Sequence, residues 1–529
     1  MTTPRPDSLS RRTVLAGGLA AAVTGTAAPQ ALAAPGIGPR KPGPLPASVD
    51  RATLLRWAED TWKSLVAMTP PATGLPADNI TGDLSTLSGY TSPTNIGGLL
   101  WSTVVARELR IINPGECNRM VRRTLRTLLE MEHHEGSGMY YNWYDEATGE
   151  ALRKWPGTGD QVYPFVSSVD NGWLGAALWV VRNSVPGAAA LAGKLFDRMR
   201  WDAFYNPDGP RPGGLMHGGF FMMKDGHNRP GGVYEGSHID AADPVFLTTH
   251  HYDTIVSESR ITSYLGIMTG QVPAKHYFAA WRTFPATCDW SWPEMQPVGV
   301  NRNYLGIDVY EGAYTYRGMR IVPGWGGSMF EELMPNVFVP EEVWGPRSWG
   351  KNHPLHVRAQ IEHGMVEADY GYWGFSPASD PFANYREYGV DALGMNPEGY
   401  FSDRESTNYD IGFGECRPAT NPNPDFGDGV VTPHAAFLAM MHEPAQAYIN
   451  LSRIETKLGA YGPGGFYDAV AVVSGKRAER YLSLDQAMVM GALGNVLAGD
   501  VLQRAFSTSQ VEARLRPVIA MEEFGAGTA

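Results

Sequence analysis

Several acids of this chain lie in segments with aromatic or glycine residues, and four of them are candidates for chemistry. They are Asp145 at the end of Tyr140–Asp145, Asp170 within Ser167–Trp173, Glu258 within His250–Arg260, and Asp380 within Tyr372–Pro381. Glycoside hydrolysis requires two carboxyl groups in different protonation states, one acting as an acid and the other as a base or nucleophile. Aromatic rings nearby supply apolar faces against which sugar rings can pack. Carbohydrate chemistry is therefore one interpretation of these segments.

The same four acids each have a structural interpretation. Asp145 precedes a turn-like segment, and Asp170 has the position of a helix N-cap or of a turn residue. Glu258 lies one turn inside a predicted helix, where it could be solvated or ion-paired. Asp380 precedes Pro381, which restricts its backbone. Taken singly, these residues leave both interpretations open.

The segment Gly324–Pro335 joins a glycine-rich loop to the start of an apolar, acidic helix. Ser328 and Glu331 have the S-x-x-E spacing of a capping box, in which each side chain accepts the backbone N–H of the other residue. Trp325 and Glu331 are also residue types that suit a sugar site. The segment is thus predicted to begin a helix, to form the wall of a site, or to do both.

No motif in the sequence indicates a metal or an organic cofactor. His250 and His251 are adjacent, and neighbouring side chains on a helix do not face each other, so we expect no metal there. The sequence contains no G-x-S-x-G, H-E-x-x-H or phosphate-loop motif. Cys117, Cys288 and Cys416 are too few and too widely spaced for a disulfide framework or a zinc pattern. Serine hydrolase, metallopeptidase and phosphotransfer chemistry therefore lack support in the sequence.

Composition and charge describe a folded, acidic protein. The 529 residues are 43% hydrophobic and 19% charged, which is enough apolar material for one large domain or two. The formal net charge of -12 disfavours nucleic acids and anionic membranes as partners. It is compatible with a neutral polysaccharide or oligosaccharide substrate.

Residues 1–33 have the features of a twin-arginine signal peptide. Arg11 and Arg12 precede an apolar run from Val14 to about Ala28, and an A-x-A-like cleavage site follows. The segment holds three arginines and one aspartate, so its removal changes the net charge to -12 - 2 = -14. We expect a secreted protein without membrane contact after cleavage.

Helical periodicity dominates the rest of the chain. Residues 34–49 are rich in proline and glycine and are expected to form a flexible leader before a single domain over 50–525. Within that domain, apolar residues recur at helical spacing in roughly ten to twelve stretches, among them Ala52–Met68 and Pro444–Leu458. The sequence has no alternating strand–helix pattern, which disfavours a doubly wound α/β fold. We predict an all-α toroid of paired helices, with long loops forming a cleft on one face.

Eight segments resemble, in their order along the chain, the glucoamylase-like (glycoamylase) domain family. That family includes the endo-β-1,2-glucanases of glycoside hydrolase family 144 and the central domain of cyclic β-1,2-glucan synthases. The segments are Thr91–Gly97, Tyr141–Asp145, Val166–Gly172, Ser257–Arg260, Trp325–Pro335, Trp373–Asp380, Val430–Ala435 and Tyr461–Tyr467.

The resemblance implies an (α/α)6 toroid, a carbohydrate substrate and no cofactor. It assigns the general acid to Glu258 and the base that activates water to Asp380 or Asp170. Other residues in or near the matching segments are expected to bind substrate. They are Tyr141, Trp143, Asp145, Trp325, Glu331, Trp373 and Glu387.

Two departures from the family pattern bear on the reaction. Pro377 stands where the synthase domains carry a glutamate, which disfavours their retaining transglycosylation. Ser167 and Ser168 stand where the glucanases are expected to carry another acid, so the linkage that this chain cuts is left open. We expect a monomeric, exported glycoside hydrolase that cleaves a β-glucan, β-1,2-linked by resemblance, with inversion. A polysaccharide-binding protein that has lost catalysis and a transglycosylase are the alternatives.

Overall fold

The computed structural model describes residues 45–222, 245–284, 295–395 and 426–528. The signal peptide predicted for 1–33 and most of the leader predicted for 34–49 lie outside these residues, as do Cys288 and Cys416. The described residues form fourteen α-helices. They are α1 (Arg51–Ala67), α2 (Pro93–Glu108), α3 (Pro114–Glu130), α4 (Ser168–Ser184), α5 (Ala189–Asp197), α6 (Arg260–Thr269), α7 (Met329–Leu333), α8 (Glu341–Trp344), α9 (Trp349–Glu362), α10 (Pro433–Ala439), α11 (Pro444–Leu458), α12 (Ser483–Leu497), α13 (Val501–Phe506) and α14 (Ser509–Ile519).

Helices dominate the fold, as the apolar periodicity predicted. The stretch Pro444–Leu458 forms α11 with the predicted bounds, and Ala52–Met68 forms α1 to within one residue. The helices α8, α13 and α14 were not predicted; α8 has four residues and α13 has six, which is too short to establish a period. Among the described residues, none of the helices combines the length and apolarity that a membrane span requires.

The all-α prediction is incomplete, because the long loops carry short antiparallel strands. These strands satisfy backbone groups of loops that lie close to the core. In the described parts of the chain they are β1 (Asn79–Thr81), β2 (His133–His134), β3 (Met139–Tyr140), β4 (Phe165–Ser167), β5 (Tyr205–Asn206), β6 (Leu215–His217), β7 (Gly219–Met222), β8 (Val245–Leu247), β9 (His251–Tyr252), β10 (Val298–Tyr304), β11 (Ile307–Tyr316), β12 (Met319–Ile321), β13 (Val430–Val431), β14 (Tyr461–Gly462), β15 (Gly465–Phe466), β16 (Ala469–Ala471), β17 (Arg477–Ala478), β18 (Arg480–Leu482) and β19 (Gly527–Thr528).

Burial separates inner helices from outer ones. In α2, 14 of 16 residues are buried, and in α12, 14 of 15 are buried. A helix that is buried on all sides belongs to the interior, whereas α3 buries one stripe at three- and four-residue spacing and exposes its other face. The helix α2 packs against α4 and α12, α4 packs against α6, and α12 packs against α10.

Glycines bring the inner helices into close contact. A Cβ atom on Gly97 of α2 would lie 2.9 Å from the carbonyl oxygen of Trp173 on α4. A Cβ atom on Gly172 of α4 would lie 2.4 Å from Oγ1 of Thr262 on α6. The largest buried apolar cluster runs from Val49 to Ala526, so these helices share one core. The residues at the beginnings of α4 and α6 therefore have a fixed spacing.

Candidate active site

A small pocket lies between the turn that precedes α6 and the beginning of α7. Three carboxylates line it, those of Glu258, Glu331 and Glu387. The aromatic residues of its wall are Trp325, Phe330, Tyr385 and Tyr388. Four of the residues predicted from the sequence, Glu258, Trp325, Glu331 and Glu387, are thus brought to one place.

Glu258 occupies the turn before α6, and the prediction that it lies one turn inside a helix is wrong. The N–H of Ile261 donates to the carbonyl oxygen of Glu258 at 3.1 Å, which closes the turn, and α6 begins at Arg260. The helix does not begin earlier because the carbonyl oxygen of Val256 accepts the N–H of Trp325 at 3.0 Å. The turn places the half-buried side chain of Glu258 at the pocket.

Two neighbouring elements hold Glu258. The indole N–H of Trp173, on α4, donates to Oε2 of Glu258 at 2.7 Å. The backbone N–H of Glu258 donates to Oε2 of Glu331, on α7, at 2.6 Å. The side chain and the backbone of Glu258 are therefore positioned by separate contacts.

The predicted capping interaction at α7 is confirmed for Ser328. Its Oγ accepts the N–H of Glu331 at 3.3 Å and caps the helix. The carboxylate of Glu331 accepts the N–H of Glu258, a residue 73 positions away. The segment Gly324–Pro335 both begins a helix and forms the wall of the pocket.

A buried arginine ties the Glu258 turn to α7. The guanidinium of Arg260 donates to the carbonyl oxygen of Ser257 at 3.0 Å and to that of Glu331 at 2.7 Å. It also pairs with the carboxylate of Glu341, on α8, at 2.7 Å. Burial by itself lowers the pKa of Arg260, but the Glu341 carboxylate raises it above its ordinary value, so the guanidinium stays charged.

A buried histidine on α9 completes this support. Nδ1 of His353 lies 2.6 Å from Oε1 of Glu332, and Nε2 lies 3.3 Å from Oε2 of Glu341, an ion contact without hydrogen-bond alignment. Burial alone lowers the pKa of His353, but the two carboxylates together raise it to about 9. A protonated imidazole at neutral pH therefore links α9 to α7 and α8.

Asp380 lies behind the pocket wall, which counts against direct contact with substrate. Its side chain is 1% exposed, and its Oδ2 accepts Nε of Arg386 at 2.5 Å. Its Oδ1 accepts the N–H of Phe382 and the hydroxyl of Tyr388, both at 2.9 Å. Because both oxygens are engaged, Asp380 organises the loop that brings Tyr388 and Glu387 to the pocket.

Asp170 lies in the first turn of α4 and does not line the pocket directly. Its Oδ1 accepts the hydroxyl of Thr94 at 2.5 Å, and its N–H donates to Oγ of Ser167 at 3.2 Å. The hydroxyl of Ser168 donates to the carbonyl oxygen of His217 at 2.8 Å. The two serines that replace an expected acid thus cap α4 and join it to a strand. Asp170 precedes Trp173 by three residues, which places both on one face of the helix.

Three residues predicted to bind substrate have structural positions instead. Trp373 is 2% exposed and Tyr141 is 7% exposed, so neither ring presents a face to a ligand. Oδ1 of Asp145 accepts the N–H groups of Ala147 and Thr148 at 2.9 and 2.8 Å, as a turn residue does. Packing and turn formation account for these three residues.

Trp143 is half-buried and lies outside the pocket wall. Its ring packs edge-on against Trp155, with the ring centroids 5.3 Å apart. Trp173, Phe330, Tyr385 and Tyr388 were not predicted as site residues. Trp173 could have been predicted as a neighbour of the site, because it lies three residues after Asp170 and therefore shares a helix face with it.

Two parts of the chain match the sequence models of known families. Residues 250–510 match the sequence model of the Glycoamylase family, described as "Putative glucoamylase", and residues 56–207 match DUF3131, a family of unknown function. Over 274 residues the chain is 27% identical to the cyclic β-(1,2)-glucan synthase NdvB of Rhizobium meliloti (strain 1021). That match covers 49% of this chain and 8% of the synthase, so the chain spans a small part of that relative.

Solved glucanase structures share the fold. The endo-β-1,2-glucanase from Chitinophaga pinensis, in complex with sophorotriose and glucose, matches with a TM-score of 0.60 and 14% identity over 89% of this chain and 98% of that one. The β-1,2-glucanase from Parabacteroides distasonis matches with a TM-score of 0.62 and 15% identity over 89% and 60%. A glutamate-to-glutamine variant of the endo-β-1,2-glucanase from Talaromyces funiculosus, bound to β-1,2-glucan, matches with a TM-score of 0.61 and 13% identity over 88% of each chain. At these identities the likeness establishes the fold alone.

Proposed function

We propose that this protein is a glycoside hydrolase that cleaves β-1,2-linked glucan, because residues 250–510 match the sequence model of the Glycoamylase family. The observation that carries the proposal is the position of Glu258, which two contacts hold at a pocket with aromatic walls and further carboxylates. The fold shared with endo-β-1,2-glucanases supports the choice of substrate.

Glu258 acts as the general acid. Its protonated carboxyl group gives a proton to the glycosidic oxygen as the bond between that oxygen and the anomeric carbon breaks. The indole of Trp173 holds the side chain in one orientation throughout the step. Trp325 and Tyr385, both half-buried at the pocket, provide faces against which sugar rings pack.

Glu387 is the second carboxylate of the reaction. It lines the same pocket as Glu258, whereas Asp380 is buried and ion-paired. Glu387 takes a proton from a water molecule, and the water oxygen bonds to the anomeric carbon on the face opposite to the leaving oxygen. Cleavage of a β-linkage therefore releases the α-anomer. Asp380 reaches the pocket through the hydroxyl of Tyr388 and positions the loop.

The choice of base has a direct test. Glu387→Gln is expected to lower kcat by at least about 10²-fold, the lower end of general-base contributions. Tyr388→Phe removes the hydroxyl that joins Asp380 to the pocket, and it is expected to cost far less than Glu387→Gln. If Asp380→Asn and Tyr388→Phe abolish activity while Glu387→Gln keeps it, the base acts through Tyr388 and the assignment to Glu387 is wrong.

The arrangement of inner helices supports an (α/α)6 toroid. Each inner helix packs against the next in the order α10, α12, α2, α4 and α6. Asp170 lies in the first turn of α4, and Glu258 lies in the turn before α6. A cleft at this end of the helices would then hold the glucan.

Export by the twin-arginine pathway is part of the proposal. Its support is the sequence of 1–33, with Arg11 and Arg12 before an apolar run. Replacing both arginines with lysine is expected to abolish export of the full chain while leaving its cytoplasmic folding intact. We further propose a monomer with one catalytic domain over 50–525, in keeping with a main buried cluster that reaches from Val49 to Ala526.

The activity is tested by incubating the protein with linear β-1,2-glucan and with β-1,3- and β-1,4-glucans as controls. We expect reducing ends to be released from the β-1,2-glucan, with the α-anomer visible first by NMR. Binding without release would indicate a polysaccharide-binding protein, and rings or longer chains would indicate a transglycosylase. Either result would overturn the proposal.

A further inference from the structure

A histidine and two aspartates form a buried cluster outside the pocket. His434 lies in the first turn of α10, Asp468 lies between β15 and β16, and Asp485 lies in the first turn of α12. One nitrogen or oxygen atom from each lies within 4.8 Å of those of the other two. Nδ1 of His434 is 3.5 Å from Oδ2 of Asp485. The three side chains come from three separate elements of the fold.

Within the described residues, several buried polar atoms of this cluster have no hydrogen-bond partner. His434 and Asp468 are each 2% exposed, and Asp485 is 4% exposed. Within the described residues, neither ring nitrogen of His434 has a hydrogen-bond partner, nor does Oδ1 of Asp468. A buried polar atom without a partner costs roughly 1–3 kcal/mol, so three such atoms in one place indicate that another group binds there.

The orientation of Asp468 is fixed by its other oxygen. Oδ2 accepts the N–H of Ser379 at 2.7 Å, which connects the cluster to the loop that carries Asp380. Among the described residues, both ring nitrogens of His434 lack a hydrogen-bond partner, so a lone pair of its imidazole is available to a cation. An imidazole beside two carboxylates is a donor set for a cation.

We propose that His434, Asp468 and Asp485 bind a divalent transition-metal ion, with Zn²⁺ as the expected occupant. One nitrogen and two carboxylate oxygens suit Zn²⁺, whereas Ca²⁺ and Mg²⁺ prefer oxygen ligands alone. Bonds of about 2.0–2.2 Å place the ligand atoms of a tetrahedral ion roughly 3.4 Å apart, so small side-chain rotations close the site. This assignment differs from the expectation of no metal that the sequence motifs gave.

The ion has a structural role. None of its three ligands lines the pocket of Glu258. It joins α10 to α12 and, through Ser379, steadies the loop that supports Tyr388. The competing state is a proton shared between the buried carboxyl groups of Asp468 and Asp485. A metal ion and a shared proton would each compensate the negative charge of the same two carboxylates, so only one of them is present at a time.

The test is metal analysis of the intact protein, purified without chelator and then exposed to Zn²⁺ or Mn²⁺ before gel filtration. We expect one ion per chain, and we expect removal by a chelator to lower Tm reversibly. Substitution with Co²⁺ is expected to give the visible absorption of a tetrahedral site. A protein that keeps no ion and whose Tm is unchanged by chelator would overturn the proposal, with a shared proton as the alternative.

Variants separate this site from adventitious binding. Asp468→Asn keeps the shape of the side chain but removes its charge, and it is expected to weaken Zn²⁺ binding at least ~10-fold. The matched control is His356→Gln, because both ring nitrogens of His356 also lack a hydrogen-bond partner in the described part of the chain and no aspartate pair adjoins them. Unchanged Zn²⁺ binding by Asp468→Asn would place the ion elsewhere. If a variant fails to fold, the ion content of the unmodified protein still decides the question.

Discussion

The carboxylate of Glu331 accepts the backbone N–H of Glu258 at 2.6 Å. Both glutamates line the pocket, yet the contact gives them different roles. Glu331 holds the turn that presents Glu258, and the side chain of Glu258 is held in turn by Trp173. A charged acceptor makes a hydrogen bond about twice as strong as a neutral one, so Glu331 stabilises the turn through its negative charge.

Glu258→Gln is expected to lower kcat by about 10²–10⁴-fold, because an amide cannot give a proton to the leaving oxygen. KM and Tm should change little, since glutamine has the same shape and its oxygen can still accept from Trp173. The measurement is initial rates on β-1,2-glucan, with the exposed Glu479→Gln as the control that keeps full activity. Full hydrolysis by Glu258→Gln would remove Glu258 from the mechanism.

Glu331→Gln is expected to lower kcat about tenfold with a smaller change in KM, because the neutral amide binds the Glu258 N–H less tightly. The matched control is Ser328→Ala, which removes the cap of the same helix at a cost of about 1 kcal/mol. Both variants should lower Tm, but Glu331→Gln should lower kcat much further. Equal losses of kcat would mean that Glu331 only supports α7.

Stability is expected to fall as the pH rises through about 9. The carboxylates of Glu332 and Glu341 raise the pKa of His353 to about 9 in the folded protein, above its ordinary 6.5. The stabilisation is therefore fully present below pH 6.5 and is lost as His353 deprotonates near pH 9. Its size is of order 3 kcal/mol, at 1.36 kcal/mol per pKa unit.

The measurement is the free energy of unfolding in urea between pH 6 and 10. In His353→Gln the titrating group is gone, so this variant should be less stable at pH 6 and should lose less stability toward pH 10. A wild-type profile as flat as that of His353→Gln would show that His353 is not protonated in the folded protein.

Gly172→Ala is expected to destabilise the protein by about 1–3 kcal/mol, because the added Cβ would lie 2.4 Å from Oγ1 of Thr262 and force α4 from α6. The control is Gly193→Ala in α5, where the nearest atom would be Nε of Arg182 at 3.6 Å. That change should stabilise the helix by up to about 1 kcal/mol. Thermal unfolding of both variants checks the pair, and a stable, fully active Gly172→Ala would contradict the tight packing of α4 on α6.

Elements governed by neighbours in sequence were predictable. The apolar period of Pro444–Leu458 defined α11, and the S-x-x-E spacing located the cap at Ser328. The family resemblance assigned the general acid to Glu258, and the structure places Glu258 at the pocket, although its helix was predicted to begin too early. That error arose because Val256 bonds to Trp325, a contact between distant segments that no local pattern reports.

Some residues predicted for the site line the pocket and others do not, because contacts between distant segments decide which side chains reach it. Trp325 and Trp373 look alike in sequence, each beside a glycine, but one lines the pocket and the other is 2% exposed. The family resemblance assigned the base to Asp380 or Asp170. The burial of Asp380 against Arg386 and Tyr388 depends on how the loop folds back on itself.

The sequence by itself determined the helical character of this protein, the helix cap at Ser328 and the set of acids available for chemistry. These properties follow from residue type and from interactions within one helical turn, and the spacing of residue types along the sequence reveals such interactions. Only the tertiary structure decided that Glu331 supports Glu258, that Asp380 is withdrawn from the pocket, and that His434 meets Asp468 and Asp485. Those relationships join residues that are distant in sequence, and they are fixed by the packing of helices and loops around one core.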